Sequence, residues 1–315
     1  MDKYLLIGNN LLNHKSHVIA TQYLSQIYTT LYVASTEIVQ FIESHNTPNT
    51  RIIIYDQSGS QNNPFIGDTL RYLHRQDVQI NCDVVIFMFD WWFHVKCAHY
   101  NNIQHLIHKP KNYRLISFAN IRQLSEFHKF DYSAYGERIR ECSVWCCYQQ
   151  SFIPFNEHPV PKLLLNGALK KTHYPERAAL IKLTDVDILR YGTSVFNIKL
   201  NKYVACFASS VHVLNKTTNS FVNTHMILLK NFEILASGSL LVVPTSEIDY
   251  LQTQLSLVHG VHFLSIDFSR NVQSQIREIL THPSIHTIRK AGQEFAGENL
   301  TCDKKAEEVA RMLDG

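Results

Sequence analysis

Residues 230–244 read KNFEILASGSLLVVP, and the prediction of the fold starts from this stretch. Its first part has the spacing of an amphipathic helix that carries Lys230 and Glu233. The helix is expected to end near Gly238, because glycine reaches the left-handed conformation of a helix end without steric cost. The apolar run at residues 240–243 is short and is closed by a proline, which is typical of a buried parallel strand. A helix followed directly by such a strand predicts an open α/β sheet.

The same stretch suggests a ligand site. In open α/β sheets, ligands lie beyond the carboxyl ends of the strands and against helix N-termini, where free backbone N–H groups attract anions. Lys230 offers a cation for a phosphate, and Glu233 offers a carboxylate for ribose hydroxyls, so the pair suits a nucleotide. The two residues are equally consistent with a solvated ion pair on a surface helix, and the rest of the chain has to decide between these interpretations.

Length and composition narrow the classes of protein. A chain of 315 residues predicts two domains of about 150 residues each. With 45% hydrophobic and 18% charged residues, it is globular rather than disordered. The net charge of +3, without a Lys/Arg-rich run, argues against nucleic-acid binding through bulk charge. No stretch reaches about 18 uninterrupted apolar residues, so we expect no membrane span and no signal peptide.

The cysteines point to a reducing compartment. Seven cysteines without an export signal predict free thiols and a cytoplasmic protein. Cys142, Cys146 and Cys147 cluster, but a zinc site needs a second ligand pair at suitable spacing, and none is evident. We therefore interpret them as core residues on a helix.

Apolar runs alternate with helical patterns in both halves of the chain, which predicts parallel, doubly wound sheets. The predicted strands are residues 4–7, 31–34, 51–55, 83–89, 115–118, 143–147, 162–165, 203–208, 240–243 and 262–266. The predicted helices, besides the one at Lys230, are residues 17–28, 38–44, 177–183, 272–280, 284–295 and 303–313. Residues 154–161 contain two prolines within FNEHPVPK and predict an interdomain linker. The expected domains are therefore 1–155 and 156–298, followed by a C-terminal helix at 299–315.

Common catalytic fingerprints are absent from the sequence: there is no GxxxxGK[ST], no GxGxxG after a strand, no GxSxG, no HExxH and no kinase loop. The second half instead places Gly167 directly after a predicted strand, with Lys170 and Arg177 before the next helix. A glycine lets a phosphate approach the backbone, and nearby cations neutralise a diphosphate. This pattern alone is weak, since a strand followed by glycine and lysine is common in α/β proteins.

Further segments extend the pattern. The sequence LRYG contains Tyr191 and Gly192, and the predicted strand at 203–208 ends at Ser209 and Ser210. The hydroxyls of these serines are expected to face the same crevice as Gly167.

The order of these segments resembles the donor half of GT-B glycosyltransferases. The matching motifs are NGA…YPER, RYG, YxAxFxSS and KxFEIxASGxLL, and they cover about residues 162–297. The resemblance is strongest to the spore-maturation-type (CgeB-like) group and to related enzymes encoded by large DNA viruses. It implies an α/β, GT-B fold of two Rossmann-like domains with parallel sheets facing across a cleft. It also implies transfer of a sugar from a nucleotide-diphospho sugar, UDP- or GDP-linked, to a glycan or other acceptor.

The resemblance also assigns roles. Retaining GT-B enzymes commonly carry two glutamates eight residues apart, of which the second contacts the nucleotide ribose. Glu233 matches the second, whereas His225 stands where the first would be. Without a DxD motif, no metal and no other cofactor is expected, and the charge of the diphosphate falls first to Arg177, then to Lys170 or Lys230. The expected donor-binding residues are Gly167, Lys170, Arg177, Tyr191, Gly192, Ser209, Ser210, Lys230, Glu233 and Gly238.

An inverting enzyme would need a general base in the first domain. His17 follows the first strand, and Asp90 and His94 follow the strand at 83–89, so these three residues are the candidates. The chain has 17 histidines, and any one of them is more often an ordinary surface or core residue. The aromatic residues 91–93 fit either stacking on an acceptor sugar or packing in a core.

Two other functions stay open. The missing carboxylate at His225 favours a non-catalytic nucleotide-sugar-binding or scaffold protein on the same fold. A sugar-nucleotide epimerase of the GT-B type would use the donor without an acceptor. The expected location in each case is the cytoplasm, of the producing cell or of a virus-infected host cell.

Overall fold

A computed structural model describes most of the chain, in two compact units. One unit combines Met1–Val144 with Ala306–Gly315, and the other is Trp145–Lys305. None of the described helices combines the length and apolarity that a membrane crossing requires. The described residues are 1–8, 24–34, 37–57, 72–73, 75, 77–89, 113–117, 120–128, 131–142, 147, 152–189, 199–215 and 220–314.

The first unit is built on a six-stranded parallel sheet of order β2-β1-β3-β4-β5-β6. Its middle strands are apolar on both faces, as in Ile52, Ile53 and Ile54, which are fully buried. A parallel sheet covered on both faces needs this pattern. The strands are β1 (Asp2–Gly8), β2 (Thr29–Val33), β3 (Thr50–Gln57), β4 (Asp83–Phe89), β5 (Tyr113–Ser117) and β6 (Ile139–Glu141); the α-helices are α1 (Ile38–Ser44) and α2 (Ile121–His128).

The second unit holds a five-stranded parallel sheet of order β13-β12-β9-β7-β8 and a separate antiparallel hairpin, β10-β11. The strands are β7 (Val160–Asn166), β8 (Val186–Leu189), β9 (Tyr203–Phe207), β10 (His212–Asn215), β11 (Ser220–Asn223), β12 (Leu240–Pro244) and β13 (Phe263–Ile266). The α-helices that follow are α3 (Pro175–Leu180), α4 (Leu229–Ala236), α5 (Ile248–Leu255), α6 (Val272–Leu280), α7 (Ile285–Asn299) and α8 (Cys302–Asp314).

Two apolar layers cover the second sheet. In β7, Leu163 and Leu165 point into one layer and Leu164 into the other, which also contains Phe232 and Leu235 of α4. This alternation follows from the period of two in a strand. All residues of β12 are buried, as expected for a central strand.

The helix end predicted at Gly238 is confirmed. Gly238 has φ +74°, and its N–H donates to the Leu235 oxygen at 3.0 Å. Because β12 starts two residues later, Gly238 lies at the amino edge of the parallel sheet, whereas ligands of such sheets lie at the carboxyl edge.

The interdomain linker predicted at residues 154–161 is not a free segment. Val160 already begins β7, and the chain before it is bound to the second unit. The Asn156 side chain donates to the Asn201 oxygen at 3.0 Å, and Arg289 of α7 donates to the Asn156 oxygen at 2.9 Å. The proline-rich composition therefore marks an extended chain that packs on the second unit through its main-chain oxygens.

The last helix, α8, passes from the second unit into the first. Its end is held at the amino edge of the first sheet, where Arg51 pairs with Asp314 at 2.5 Å and Arg114 donates to the Leu313 oxygen at 2.6 Å. Both arginines also pair with Asp83. Cations are favourable at a helix C-terminus because its free carbonyls carry partial negative charge.

Several elements were not predicted. The edge strands β6 and β8, the hairpin, and the helices α2 and α5 are short, and the strands and hairpin carry polar residues that hide their periodicity. Residues 143–146 of the predicted strand at 143–147 and most of the helix at 17–28 lie outside the described residues.

Candidate functional site

The second sheet has a topological switch point between β7 and β9. From β7 the chain continues to β8 on one side, and from β9 it continues to β12 and β13 on the other side. The loops that follow β7 and β9 therefore lead in opposite directions and leave a crevice at the carboxyl edge of the sheet. Asn166 ends β7 and Gly167 follows it, residues 208–210 follow β9, and Thr245–Glu247 follow β12. A ligand site is therefore expected among the side chains of these loops.

Two cations converge above Gly167. A Cβ atom added to Gly167 would lie 2.7 Å from the Lys230 Nζ and 3.4 Å from an Arg177 Nη. Gly167 also has φ +92°, which other residues adopt only under strain. Lys230 reaches this position from the first turn of α4 and donates to the Asn166 oxygen at 2.9 Å. The sequence-predicted residues Gly167, Arg177 and Lys230 thus form one cluster.

Arg177 ties together the two loops of the switch point. It is only 3% exposed, and its guanidinium stacks on the Tyr174 ring at 4.1 Å from the ring centroid. It donates to the Ser209 main-chain oxygen at 2.6 Å, to the Ser209 Oγ at 3.2 Å and to the Ala168 oxygen at 3.4 Å. These bonds fix the guanidinium on both sides of the crevice before any ligand arrives.

The two serines after β9 have different roles. Ser209 positions Arg177, as described above. The Ser210 hydroxyl donates to the Met226 oxygen and accepts from the Met226 N–H, both at 3.0 Å, while its own N–H donates to Glu247 at 2.7 Å. We therefore assign Ser210 to shaping the loop rather than to direct contact with a ligand, contrary to its predicted donor-binding role.

Glu247 is a buried carboxyl group that the sequence analysis did not select. It is 2% exposed, and burial raises its pKa to about 7, although the N–H of Ser210 opposes the shift. The negative charge of Glu176 acts in the same direction as burial. The sequence signal that could have identified Glu247 is a carboxyl residue that closely follows a strand of an open α/β sheet.

The raised pKa of Glu247 predicts a pH dependence of stability. Its folded pKa of about 7 lies above the reference value of 4.5, so the free energy of unfolding should fall as the pH rises through this window. Glu247→Gln keeps an acceptor for Ser210 but does not titrate. We expect its stability relative to the wild type to rise by on the order of 3 kcal/mol between about pH 4.5 and pH 8.

Urea unfolding at about pH 4.5, 6 and 8 measures this difference. Glu298→Gln, at an exposed position of α7, is the control and should track the wild type at every pH. If Glu247→Gln also tracks the wild type, the carboxyl group of Glu247 has an ordinary pKa in the folded protein.

Glu176 and His212 form a pair beside Arg177. The Glu176 Oε1 and the His212 Nε2 are 2.7 Å apart, and the main-chain N–H of His212 donates to the His173 main-chain oxygen at 2.7 Å. His225 has φ +41°, and it lies close enough for the charges of Glu176 and His212 to act on its pKa. Burial first, and then the charge of His212, lower the pKa of His225, so its ring is neutral near pH 7. A carboxylate is therefore present near His225, but it comes from α3.

Glu233 lies three residues after Lys230 in α4, on the same face of the helix. It is 7% exposed, and its neighbour Phe232 belongs to the apolar layer of the sheet. Burial of a carboxylate is costly unless polar groups or charges pair with it.

The other predicted site residues fall elsewhere. Lys170 is exposed, and its main-chain oxygen accepts the N–H groups of His173 and Tyr174 at 2.9 Å. Gly238 lies at the opposite edge of the sheet, so we assign it to helix termination and not to the donor site. The remaining predicted residues lie outside the described part of the chain: His17, Asp90, His94, Tyr191 and Gly192.

Among the described residues, no group of three or more His, Cys, Asp or Glu side chains is arranged to hold a metal ion. Cys142 and Cys147 are buried, which confirms their predicted place in a core. The predicted helix is wrong for both, since Cys142 follows β6 and Cys147 forms a β-bridge with Thr301. Cys146 lies outside the described residues.

Comparison with known proteins gives the fold. No family model and no curated protein matches the chain. Among solved structures, a glycosyltransferase from Rickettsia africae ESF-5 covers 100% of this chain and 98% of its own, at 10% identity and TM-score 0.58. HepE from Anabaena, solved with UDP-glucose, covers 99% of both chains at 9% identity and TM-score 0.59. The chain has the GT-B fold.

WaaG, a glycosyltransferase involved in lipopolysaccharide biosynthesis, covers 99% of this chain and 100% of its own at 10% identity and TM-score 0.52. The predicted α/β class with two Rossmann-like domains is therefore confirmed. At these identities the likeness concerns the fold alone, and the function has to be argued from the chain's own residues.

Proposed function

We propose that the protein is a GT-B glycosyltransferase that uses a nucleotide-diphospho sugar as its donor. The observation that carries this proposal is the convergence of Arg177 and Lys230 above Gly167 at the switch point of the second sheet. The proteins that share the fold support it, since the Rickettsia africae protein and WaaG are glycosyltransferases and HepE binds UDP-glucose.

The cluster suits a diphosphate leaving group. During sugar transfer, negative charge builds on the diphosphate, and fixed cations stabilise it more than they stabilise the bound donor. Arg177 is held rigidly by Ser209, so it needs no reorganisation. Lys230 donates to the Asn166 main-chain oxygen, and a phosphate over Gly167 offers its ammonium a charged acceptor. Glu233 accepts hydrogen bonds from ribose hydroxyls.

The remaining parts of the mechanism are proposals from the sequence. They comprise a glycan acceptor, UDP or GDP as the nucleotide, reaction without a metal in a cleft between the domains, and a base among His17, Asp90 and His94. The resemblance to spore-maturation-type and viral enzymes and the cytoplasmic location also remain predictions.

A non-catalytic nucleotide-sugar-binding protein is the second candidate, because a neutral His225 occupies the position of the first glutamate. Glu176 argues for the enzyme, since it places a carboxylate near that ring. Release of nucleoside diphosphate from UDP- and GDP-sugars distinguishes the two. Release that needs a glycan acceptor and persists in EDTA supports the transferase, and release without acceptor points to hydrolysis of the donor. Binding without release supports the scaffold if NMR shows the donor sugar unchanged, and an epimerase if NMR shows an epimerised donor sugar.

Binding tests the site directly. We expect Lys230→Met to raise the dissociation constant of UDP or GDP about 30-fold, because a charge-assisted hydrogen bond to phosphate contributes about 2 kcal/mol. Calorimetric titration of the folded protein measures this change.

Lys202→Met is the matched control. Lys202 is an exposed lysine at the amino edge of the same sheet, directly before β9, and its replacement should leave the affinity unchanged. Equal affinity in both variants, or no binding of either nucleotide to the wild type, would contradict the proposed site.

A further inference from the structure

Asn166, the last residue of β7, is a buried amide with unused hydrogen-bonding capacity. It is 1% exposed, and neither its Oδ1 nor its Nδ2 has a hydrogen-bond partner among the described residues. Its main-chain oxygen accepts a hydrogen bond from Lys230. Buried amides are nearly always hydrogen-bonded, because burying one without partners destabilises the folded state.

The cost is avoidable at this position. The three preceding residues of β7 are leucines, and leucine branches at the same carbon as asparagine. Leucine at residue 166 would continue the apolar strand without an unsatisfied group. An amide that destabilises the fold and is nonetheless present at a switch point is the kind of group that functional sites contain.

The position of the amide indicates which part of a ligand it would meet. Side chains alternate along a strand, so Asn166 shares the face of Leu164, which is the face covered by α4. Glu233 of α4 is buried on the same side of the sheet, whereas the cations Lys230 and Arg177 lie one residue further on, over Gly167. The amide and the carboxylate thus lie beside the cationic cluster.

We propose that the side chain of Asn166 binds the ribose hydroxyls of the donor nucleotide, an inference that rests on the proposed function. An amide both donates and accepts, as each hydroxyl of a ribose diol does, whereas Glu233 only accepts when ionised. The two side chains therefore complement the diol. The diphosphate lies over Gly167 and binds the Lys230 ammonium, which then releases the main-chain oxygen of Asn166.

Asn166→Leu tests the proposal through two measurements. Thermal unfolding without ligand should give a melting temperature equal to or above that of the wild type, since the variant removes an unsatisfied group. Calorimetric titration should give a dissociation constant about tenfold higher for whichever of UDP and GDP the wild type binds more tightly. For the matching 2′,3′-dideoxy nucleotide, the two proteins should bind equally, because the hydroxyls that the amide contacts are missing.

Asn231→Leu is the matched control. Asn231 is also 1% exposed, with an Oδ1 that has no partner among the described residues, but it is turned about 100° from Lys230 on α4. This variant should keep the wild-type preference for ribose over dideoxyribose.

Three outcomes would overturn the inference. In the first, Asn166→Leu lowers the melting temperature and leaves the ribose preference intact, which makes the amide structural. In the second, both variants lose the preference, which makes the effect one of packing around α4. In the third, the wild type binds neither UDP nor GDP, and the proposed function fails with it; in the first two outcomes only the role of Asn166 fails.

Discussion

Arg177→Met is expected to abolish binding of the nucleoside diphosphate and to lower the free energy of unfolding by about 3 kcal/mol. Methionine keeps the apolar stem against Tyr174 but removes every donor. The main-chain oxygen of Ser209, which accepts from Arg177 at 2.6 Å, is then left buried without that bond. The loops after β7 and β9 also lose the contact that sets their separation. A phosphate therefore loses both the Arg177 cation and the fixed positions of the two loops around it.

Arg289→Met separates the effect on nucleotide binding from the effect on stability. Arg289 is buried to the same extent as Arg177, stacks on Phe155, and donates to main-chain oxygens of Gly238 and Asn156. These contacts lie at the amino edge of the sheet. We therefore expect a similar loss of stability in urea unfolding, but wild-type affinity for UDP or GDP in the folded protein. If both variants lose affinity alike, Arg177 acts through stability and not as a ligand.

Gly167→Ala is expected to weaken nucleotide binding at least 100-fold while costing only about 1–2 kcal/mol of stability. The stability cost comes from φ +92°, which alanine adopts with strain. The new methyl group would also lie 2.7 Å from the Lys230 Nζ. That ammonium is at the end of a flexible side chain and moves at little cost, so the protein still folds. A phosphate, however, then meets a methyl group where it would approach the backbone, and a displaced cation.

Gly260→Ala provides the comparison for the strain alone. Gly260 has φ +81°, and a Cβ added there would meet no atom within 4 Å among the described residues. The two alanine variants should lose similar stability in thermal unfolding, and only Gly167→Ala should lose affinity in titration. Wild-type affinity in Gly167→Ala would show that the space above this glycine is not where the phosphate binds.

Local sequence patterns located most of the regular structure. The helices α1 and α6 and the strand β4 have the bounds predicted for them, and Gly238 ends α4 as expected. These features depend on residues within a few positions of one another, so the sequence contains their cause. The elements that were missed are two short edge strands, the polar hairpin and two short helices, whose positions are set by the neighbours on which they pack.

The residue types of the site were also visible in the sequence. Gly167, Arg177 and Lys230 were selected because a glycine after a strand and two cations fit a diphosphate, and the structure brings them together. Sequence alone did not distinguish Ser209, which holds Arg177, from Ser210, which holds the loop. Their hydroxyls differ only in partners that are distant along the chain.

The sequence by itself determined the fold class, the alternation of strands and helices in both halves, and the residue types that point to a nucleotide. Only the tertiary structure decided that Gly238 lies at the other edge of the sheet from Gly167, that residues 154–161 are bound rather than free, and that Glu247 and Asn166 belong at the switch point. The physical reason is the separation along the chain of the residues that determine each property. Hydrophobic periodicity is a local property, whereas the burial of a polar group and the identity of its partner depend on residues that approach only when the strands are placed side by side.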